Sequence, residues 1–203
     1  MNPFIGLTTF CLRKATFFLL IFASLALIGL ADRLGGLQIG TKVPDFQLTS
    51  QDNKPTRLSD FRGKVVLVSF LFTQCPDPSK CPMLAGKLDK LQELIEQIEE
   101  AKDKVQLISI TLDPKNDTPE RLKAYAQGRE HASSNWTFLT GKGSDILKVA
   151  SLFGEMYFDD KGTVVHNTRT VLIDTHLRVN QIYTNNDWKP GELAIRIRDL
   201  LAK

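Results

Sequence analysis

Lys64-Val65-Val66-Leu67-Val68-Ser69-Phe70-Leu71-Phe72 runs straight into Thr73-Gln74-Cys75-Pro76-Asp77-Pro78-Ser79-Lys80-Cys81-Pro82-Met83. The first nine residues are a largely apolar run between Gly63 and Pro76, the pattern of a strand buried on both faces. Beyond Pro82, Leu84, Leu88, Leu91, Leu94, Ile95 and Ile98 recur at helical spacing, with Lys87, Lys90, Glu93, Glu96 and Glu100 between them. A buried strand feeding an amphipathic helix is the unit of an open α/β sheet. Functional groups gather in such loops, at the carboxyl ends of strands.

The loop holds Cys75 and Cys81, and the only other cysteine is Cys11. Pro82 suits the first helical position, which places Cys81 at or beside the N-cap. A thiolate there faces unpaired backbone N–H groups, so the pKa of Cys81 is expected to fall, with Lys80 acting in the same direction. Pro76 and Pro78 stiffen the loop. Two thiolates are soft ligands suited to Cu(I) or Zn(II), and a third ligand is needed. Of three histidines, His131 sits in a polar stretch and His176 in a turn, both expected at the surface. His166 follows the apolar pair Val164-Val165 and precedes the strand beginning near Thr170, within reach of the cysteine loop, although a histidine in such a turn more often has no ligand role. Met83 is a conceivable thioether ligand but is expected in the core, as are Phe70, Phe72 and Trp136.

Outward from the loop, Lys104 to Leu112 reads as a second buried strand, and Asp117-Thr118-Pro119-Glu120 as a helix start capped by Asp117 or Thr118. Trp136 to Thr140 reads as a short strand and Ser144 to Phe153 as a helix. Asp160-Lys161-Gly162 is turn chemistry between Met156-Tyr157-Phe158 and Val164-Val165, hence a hairpin. Thr170 to Asp174 and Arg178 to Tyr183 form a further strand pair, and Gly191 to Leu201 a closing helix. The order predicts an α/β fold: a thioredoxin-like mixed sheet flanked by helices, with an inserted β-hairpin.

The 203 residues leave room for one ordinary domain and a short extra segment, and 42% hydrophobic against 24% charged residues excludes a disordered chain. The formal charge is +3, of which Arg13 and Lys14 supply two, so the remainder is near neutral and no nucleic-acid partner is expected. Those two charges precede an apolar run, Ala15 to Ala31, about one membrane-spanning length at the short end of the range. The predicted organisation is a cytoplasmic N-terminus over 1–14, a transmembrane anchor or signal sequence over 15–31, a linker over 32–40 and the globular domain over 41–203. The positive flank stays inside, so the domain is expected on the periplasmic face of the cytoplasmic membrane. Retention of the run as an anchor is preferred over cleavage after Ala31.

From about Gly40 to Tyr183 the chain resembles the Sco/SenC family of membrane-anchored copper-binding proteins. The landmarks are Gly40-Thr41-Lys42-Val43-Pro44-Asp45-Phe46, Gly63 to Val68, Phe72-Thr73-Gln74-Cys75-Pro76, Cys81-Pro82, Asp113-Pro114-Lys115-Asn116-Asp117-Thr118-Pro119, Leu139-Thr140-Gly141, and His166 ahead of Val171-Leu172-Ile173-Asp174. The resemblance implies copper, Cu(I) or Cu(II), held by Cys75, Cys81 and His166, with Asp113 to Pro119 close by. It implies a metallochaperone assisting assembly of the dinuclear copper site of cytochrome c oxidase, with subunit II or another copper-acceptor or dithiol protein as partner. The family usually has three residues between its cysteines. Here five intervene, which widens the range of sulfur–sulfur distances. The alternative is a thiol–disulfide oxidoreductase in which Cys75 and Cys81 are the catalytic pair and no metal is obligatory. A peroxidase is disfavoured, because Thr73-Gln74-Cys75 is one residue too short for that pattern. An inert Cys75–Cys81 disulfide is the remaining reading.

Overall fold

A computed structural model describes residues 36–101, 103–129, 135–161 and 163–202. Cys11, the 15–31 run and His131 lie outside the described residues. Among the described ones, no helix is long and apolar enough to cross a membrane.

In chain order the elements are β1 (Gln47–Ser50), β2 (Pro55–Arg57), β3 (Val65–Leu71), α1 (Cys81–Glu96), β4 (Val105–Thr111), α2 (Pro119–Gln127), β5 (Trp136–Thr140), α3 (Gly143–Leu152), β6 (Tyr157–Asp160), β7 (Thr163–His166), β8 (Arg169–Ile173), β9 (Val179–Thr184) and α4 (Pro190–Leu201). Seven strands make one sheet in the order β2-β1-β5-β4-β3-β8-β9, and β6 and β7 form a separate hairpin. At its centre β3, β4 and β5 are parallel, while β8 pairs antiparallel with β3, aligning Val68 with Val171. This is the expected mixed thioredoxin-like sheet with its inserted hairpin.

Every residue of β3 and β4 is buried, which is why both read as apolar runs without alternation. Val65, Leu67 and Leu71 point into a core closed by Leu84, Leu88, Leu91 and Ile95 of α1, Leu122 of α2, and Leu193 and Ile197 of α4. Val66, Val68 and Phe70 point the other way, onto Ile146, Val149 and Ala150 of α3 and Leu58. The polar residues of the run are satisfied: Ser69 and Ser109 bring their hydroxyls to 3.0 Å, and Trp136 Nε1 donates to Ser109 Oγ at 3.0 Å. Ahead of the sheet, the Leu37 N–H donates to the Leu152 carbonyl and that of Gly40 to Val179, so the chain is fastened to the domain from Leu37 onward.

Two local expectations are corrected and one open choice is decided. The helix begins at Cys81 itself, with Pro82 one position further in and Lys80 as an N-cap whose side chain makes no capping bond. Thr118, rather than Asp117, caps α2, its side chain accepting from the Arg121 N–H, which frees Asp117 for the site. Met83 is 43% exposed, not core, because the apolar face of α1 starts at Leu84 and Met83 falls beside it.

Candidate metal centre

The site lies at the carboxyl ends of β3 and β4. Phe72, the last buried residue of the β3 run, hands the chain to the loop. The loop then folds on its own polar groups: Asp77 Oδ1 accepts from both the N–H and the hydroxyl of Ser79, at 2.9 and 2.6 Å. That pair, hydroxyl first, holds the Asp77 carboxyl below the usual carboxylate range. The Lys80 N–H donates to the Asp77 carbonyl at 3.1 Å, and the Cys75 thiol points toward the same carbonyl at 3.7 Å.

Asp117 anchors the start of this loop. Fully buried, it accepts from the Thr73 N–H at 3.0 Å, the Thr73 hydroxyl at 2.5 Å and the Thr111 hydroxyl at 2.6 Å. Arg121 Nε closes the network by donating to Thr73 Oγ1 at 3.1 Å. The carboxylate thus ties the β4–α2 connection to the residue two before Cys75. Asp113 stays outside this network through its side chain, while its N–H donates to Thr111 Oγ1 at 2.9 Å.

Cys81, 2% exposed, is the centre of the arrangement. Its Sγ lies 3.9 Å from His166 Nε2, and the Cys75 thiol is close enough to interact with it. Burial pushes the Cys81 thiol up strongly; hydrogen bonding to the Phe72 backbone works against this, and the neighbouring Cys75 adds to the rise. The expected fall in its pKa is therefore overturned. The helix N-terminus is present, but the desolvation of a 2% exposed sulfur outweighs it. Both thiols are free. Cys75 is half-buried, so the pair is asymmetric, with one sulfur reachable and one enclosed.

His166 ends β7, paired with Tyr157 across the hairpin, and its ring meets Phe72 edge-on with centroids 6.0 Å apart. Its Nδ1 lies 2.9 Å from Oε1 of Glu155 and also contacts the Asn167 carbonyl. The His166 and Glu155 side chains are 1% and 0% exposed. Burial raises the Glu155 carboxyl above its ordinary range, with His166 and the Arg169 N–H partly opposing the rise. Glu155 has no counterpart in the sequence reading. The available signal was Phe153-Gly154-Glu155, a helix terminator followed by a lone acid just before the hairpin.

Of the residues singled out, Cys81 lies beside His166 and interacts with Cys75. They do not form a closed set: among the described residues, no three His, Cys, Asp or Glu side chains gather tightly enough to hold a metal ion as they stand. The Cys75 thiol, within the five-residue loop, points toward the Asp77 carbonyl. His176 is exposed in its turn, as expected, its N–H bonded to Asp174 Oδ1 at 2.9 Å.

Comparison with known proteins bears on this arrangement. The SCO1/SenC family model matches residues 37–202. A SCO1 protein homolog of Bacillus subtilis is 34% identical over 124 residues, which are 58% of this chain and 61% of that one. The match thus spans less than two thirds of that relative's length. Among solved structures, a SCO1/SenC family lipoprotein from Bacillus anthracis is 32% identical with a TM-score of 0.72, covering 81% of this chain and 96% of that chain. ScoI of Bradyrhizobium japonicum with copper bound is 26% identical with a TM-score of 0.65, covering 79% and 99%. A family match that begins at Leu37 and runs through both cysteines and His166 to the end of α4 takes in the whole described domain, and the chain belongs to the SCO1/SenC family.

Proposed function

We propose that this chain is a copper-binding metallochaperone that carries copper on Cys75, Cys81 and His166 and assists assembly of the dinuclear copper site of cytochrome c oxidase. The observation that carries the reading is the approach of Cys81 Sγ to His166 Nε2, at 3.9 Å between residues 85 apart in the chain. A metal bonded to sulfur at about 2.3 Å and to nitrogen at about 2.0 Å holds the two about 3.5 to 4.3 Å apart, depending on angle. The pair is therefore spaced as if to share one ion. Two thiolates with an imidazole form a soft donor set that suits copper over hard cations. Cys75, half-buried and directed at the Asp77 carbonyl, would turn inward to complete the set, and a ligand of this kind suits a cargo site, which has to release what it binds. Copper would leave by ligand exchange with acceptor cysteines, Cys75 letting go first. The apolar run 15–31 behind Arg13 and Lys14 supports a tether placing the domain outside the cytoplasm.

Titration of Cu(I) into the reduced chain, beside Cys75→Ser, Cys81→Ser and His166→Ala, tests the reading. Uptake of one copper is expected, and each variant should lose more affinity than the roughly 10–100-fold typical of an outer-shell change. No uptake by the unmodified chain sinks the copper reading. An unchanged affinity in His166→Ala removes the third ligand.

A second reading has its own support. One half-buried and one buried free thiol side by side match an attacking and a resolving cysteine in thiol–disulfide exchange. Under it, Cys75 and Cys81 cycle with a partner dithiol and His166→Ala barely changes the rate.

A further inference from the structure

Glu155 is a buried carboxylate that neither ligand exchange nor thiol exchange employs. It is delivered by the end of α3. Gly154, at φ +71°, donates its N–H to the Ser151 carbonyl at 3.0 Å, and the Glu155 N–H donates to that of Ala150 at 2.8 Å. This paired closure of a helix C-terminus fixes the backbone of Glu155 rigidly. Its Oε1 then faces His166 Nδ1 at 2.9 Å, while Oε2 accepts the Arg169 N–H at 2.8 Å.

A tether for the hairpin does not require this charge. Asn167 already ties the hairpin base to the same segment, its Nδ2 donating to the Gly154 carbonyl at 3.0 Å and its Oδ1 accepting the Met156 N–H at 2.7 Å. Neutral groups therefore do the fastening, and a carboxylate buried in addition is costly unless it performs something else. The partners of Nδ1 indicate what. Both the Glu155 carboxylate and the Asn167 carbonyl are acceptors only, so Nδ1 must carry the ring proton. In the neutral ring Nε2 then carries the lone pair, and it is Nε2 that faces Cys81 Sγ at 3.9 Å.

The geometry points to Glu155 as a positioning residue that locks His166 in the Nδ1–H tautomer with the Nε2 lone pair aimed at Cys81. The role rests on the copper reading above: the ring is set as a ligand before the metal arrives, and binding needs no proton to move from one ring nitrogen to the other. Carboxylate partners orient ligating histidines in this way, and changing one typically lowers metal affinity about 10–100-fold.

The test uses the full chain, reduced and in detergent micelles, with nitrogen-15 histidine. Only three histidines are present, so His166 is assigned by its loss in His166→Ala. Long-range proton–nitrogen spectra report the tautomer directly without metal. In the unmodified chain His166 is expected as a single Nδ1–H form. Glu155→Gln keeps the shape but turns an amide N–H toward either His166 or the Arg169 N–H, so the Nε2–H form should appear and Cu(I) affinity should fall about 10–100-fold. A merely structural role would shift the melting temperature without moving the tautomer. The proposal is overturned by an Nε2–H ring in the unmodified chain, a tautomer unchanged in folded Glu155→Gln, or a changed tautomer with unchanged copper affinity. Should the unmodified chain take up no copper while Glu155→Gln still shifts the tautomer, the positioning stands and the copper reading falls.

Discussion

At the scale of single residues, the two thiols are distinguished by enclosure. Cys81 is 2% exposed and burial pushes its thiol up, so at neutral pH it is almost wholly protonated. Cys75 is half-buried. The thiolate is the species that alkylates. Cys75 should therefore label with iodoacetamide at least about tenfold faster than Cys81 at pH 8, and the Cys81 rate should still be climbing above pH 9, as followed by mass spectrometry. Equal rates at pH 8 would contradict the enclosure of Cys81. Asp117 gives a second prediction. Asp117→Ala leaves the Thr73 N–H and two hydroxyls without their common acceptor, at a cost of about 3 kcal/mol read by urea unfolding. Copper affinity should fall with it, because Thr73 is the fixed end of the cysteine loop. The sequence made Cys75 and Cys81 legible by location and count, whereas His166 depended on the family resemblance. Glu155 and the true bonds of Asp117 were not legible, since each is defined by partners on other elements that no local spacing encodes.

At the scale of elements, β3 and β4 were readable as uninterrupted apolar runs, α1 by its helical spacing, and the hairpin by the turn chemistry at its tip. β1 and β2 were not: four and three residues respectively, they carry mixed burial and exist because β5 offers an edge to pair with. The end of α3 shows how an element boundary can govern chemistry. Gly154 sits at φ +71°, and a Cβ there would meet the Arg169 guanidinium carbon at 3.3 Å. Gly154→Ala should cost about 1–2 kcal/mol, from the left-handed backbone more than from the contact with a movable side chain. It should also loosen Glu155, so the thermal midpoint and copper affinity fall together. A loss of stability with affinity intact would show that the cap and the site are independent.

At the scale of the molecule, the fold class followed from the order of elements, whereas a membrane tether is an expectation from charge and apolar length that falls outside the described residues. What the order of elements could not supply is how the hairpin sits on the sheet. That docking is set by Phe72 meeting the His166 ring and by Asn167 bridging to residues 154 and 156. Because the proposed ligands come from the β3–α1 loop, the start of α1 and β7, copper should bind the native fold and not the unfolded chain as a set. At free Cu(I) about 100 times the dissociation constant, the fold should gain about 2.7 kcal/mol, seen as a concentration-dependent rise in the thermal midpoint. Absence of such a rise at saturating copper would mean that the unfolded chain binds just as well.

The 85 residues that separate Cys81 from His166 have a further consequence. A chain emerging N-terminus first presents Cys75 and Cys81 well before His166. During that interval the proposed ligand set lacks its imidazole. The assembled trio comes into being only when the last third of the domain has closed over the first. Under the proposed function, loading would therefore double as an inspection of the finished product, and misfolded copies would go without cargo.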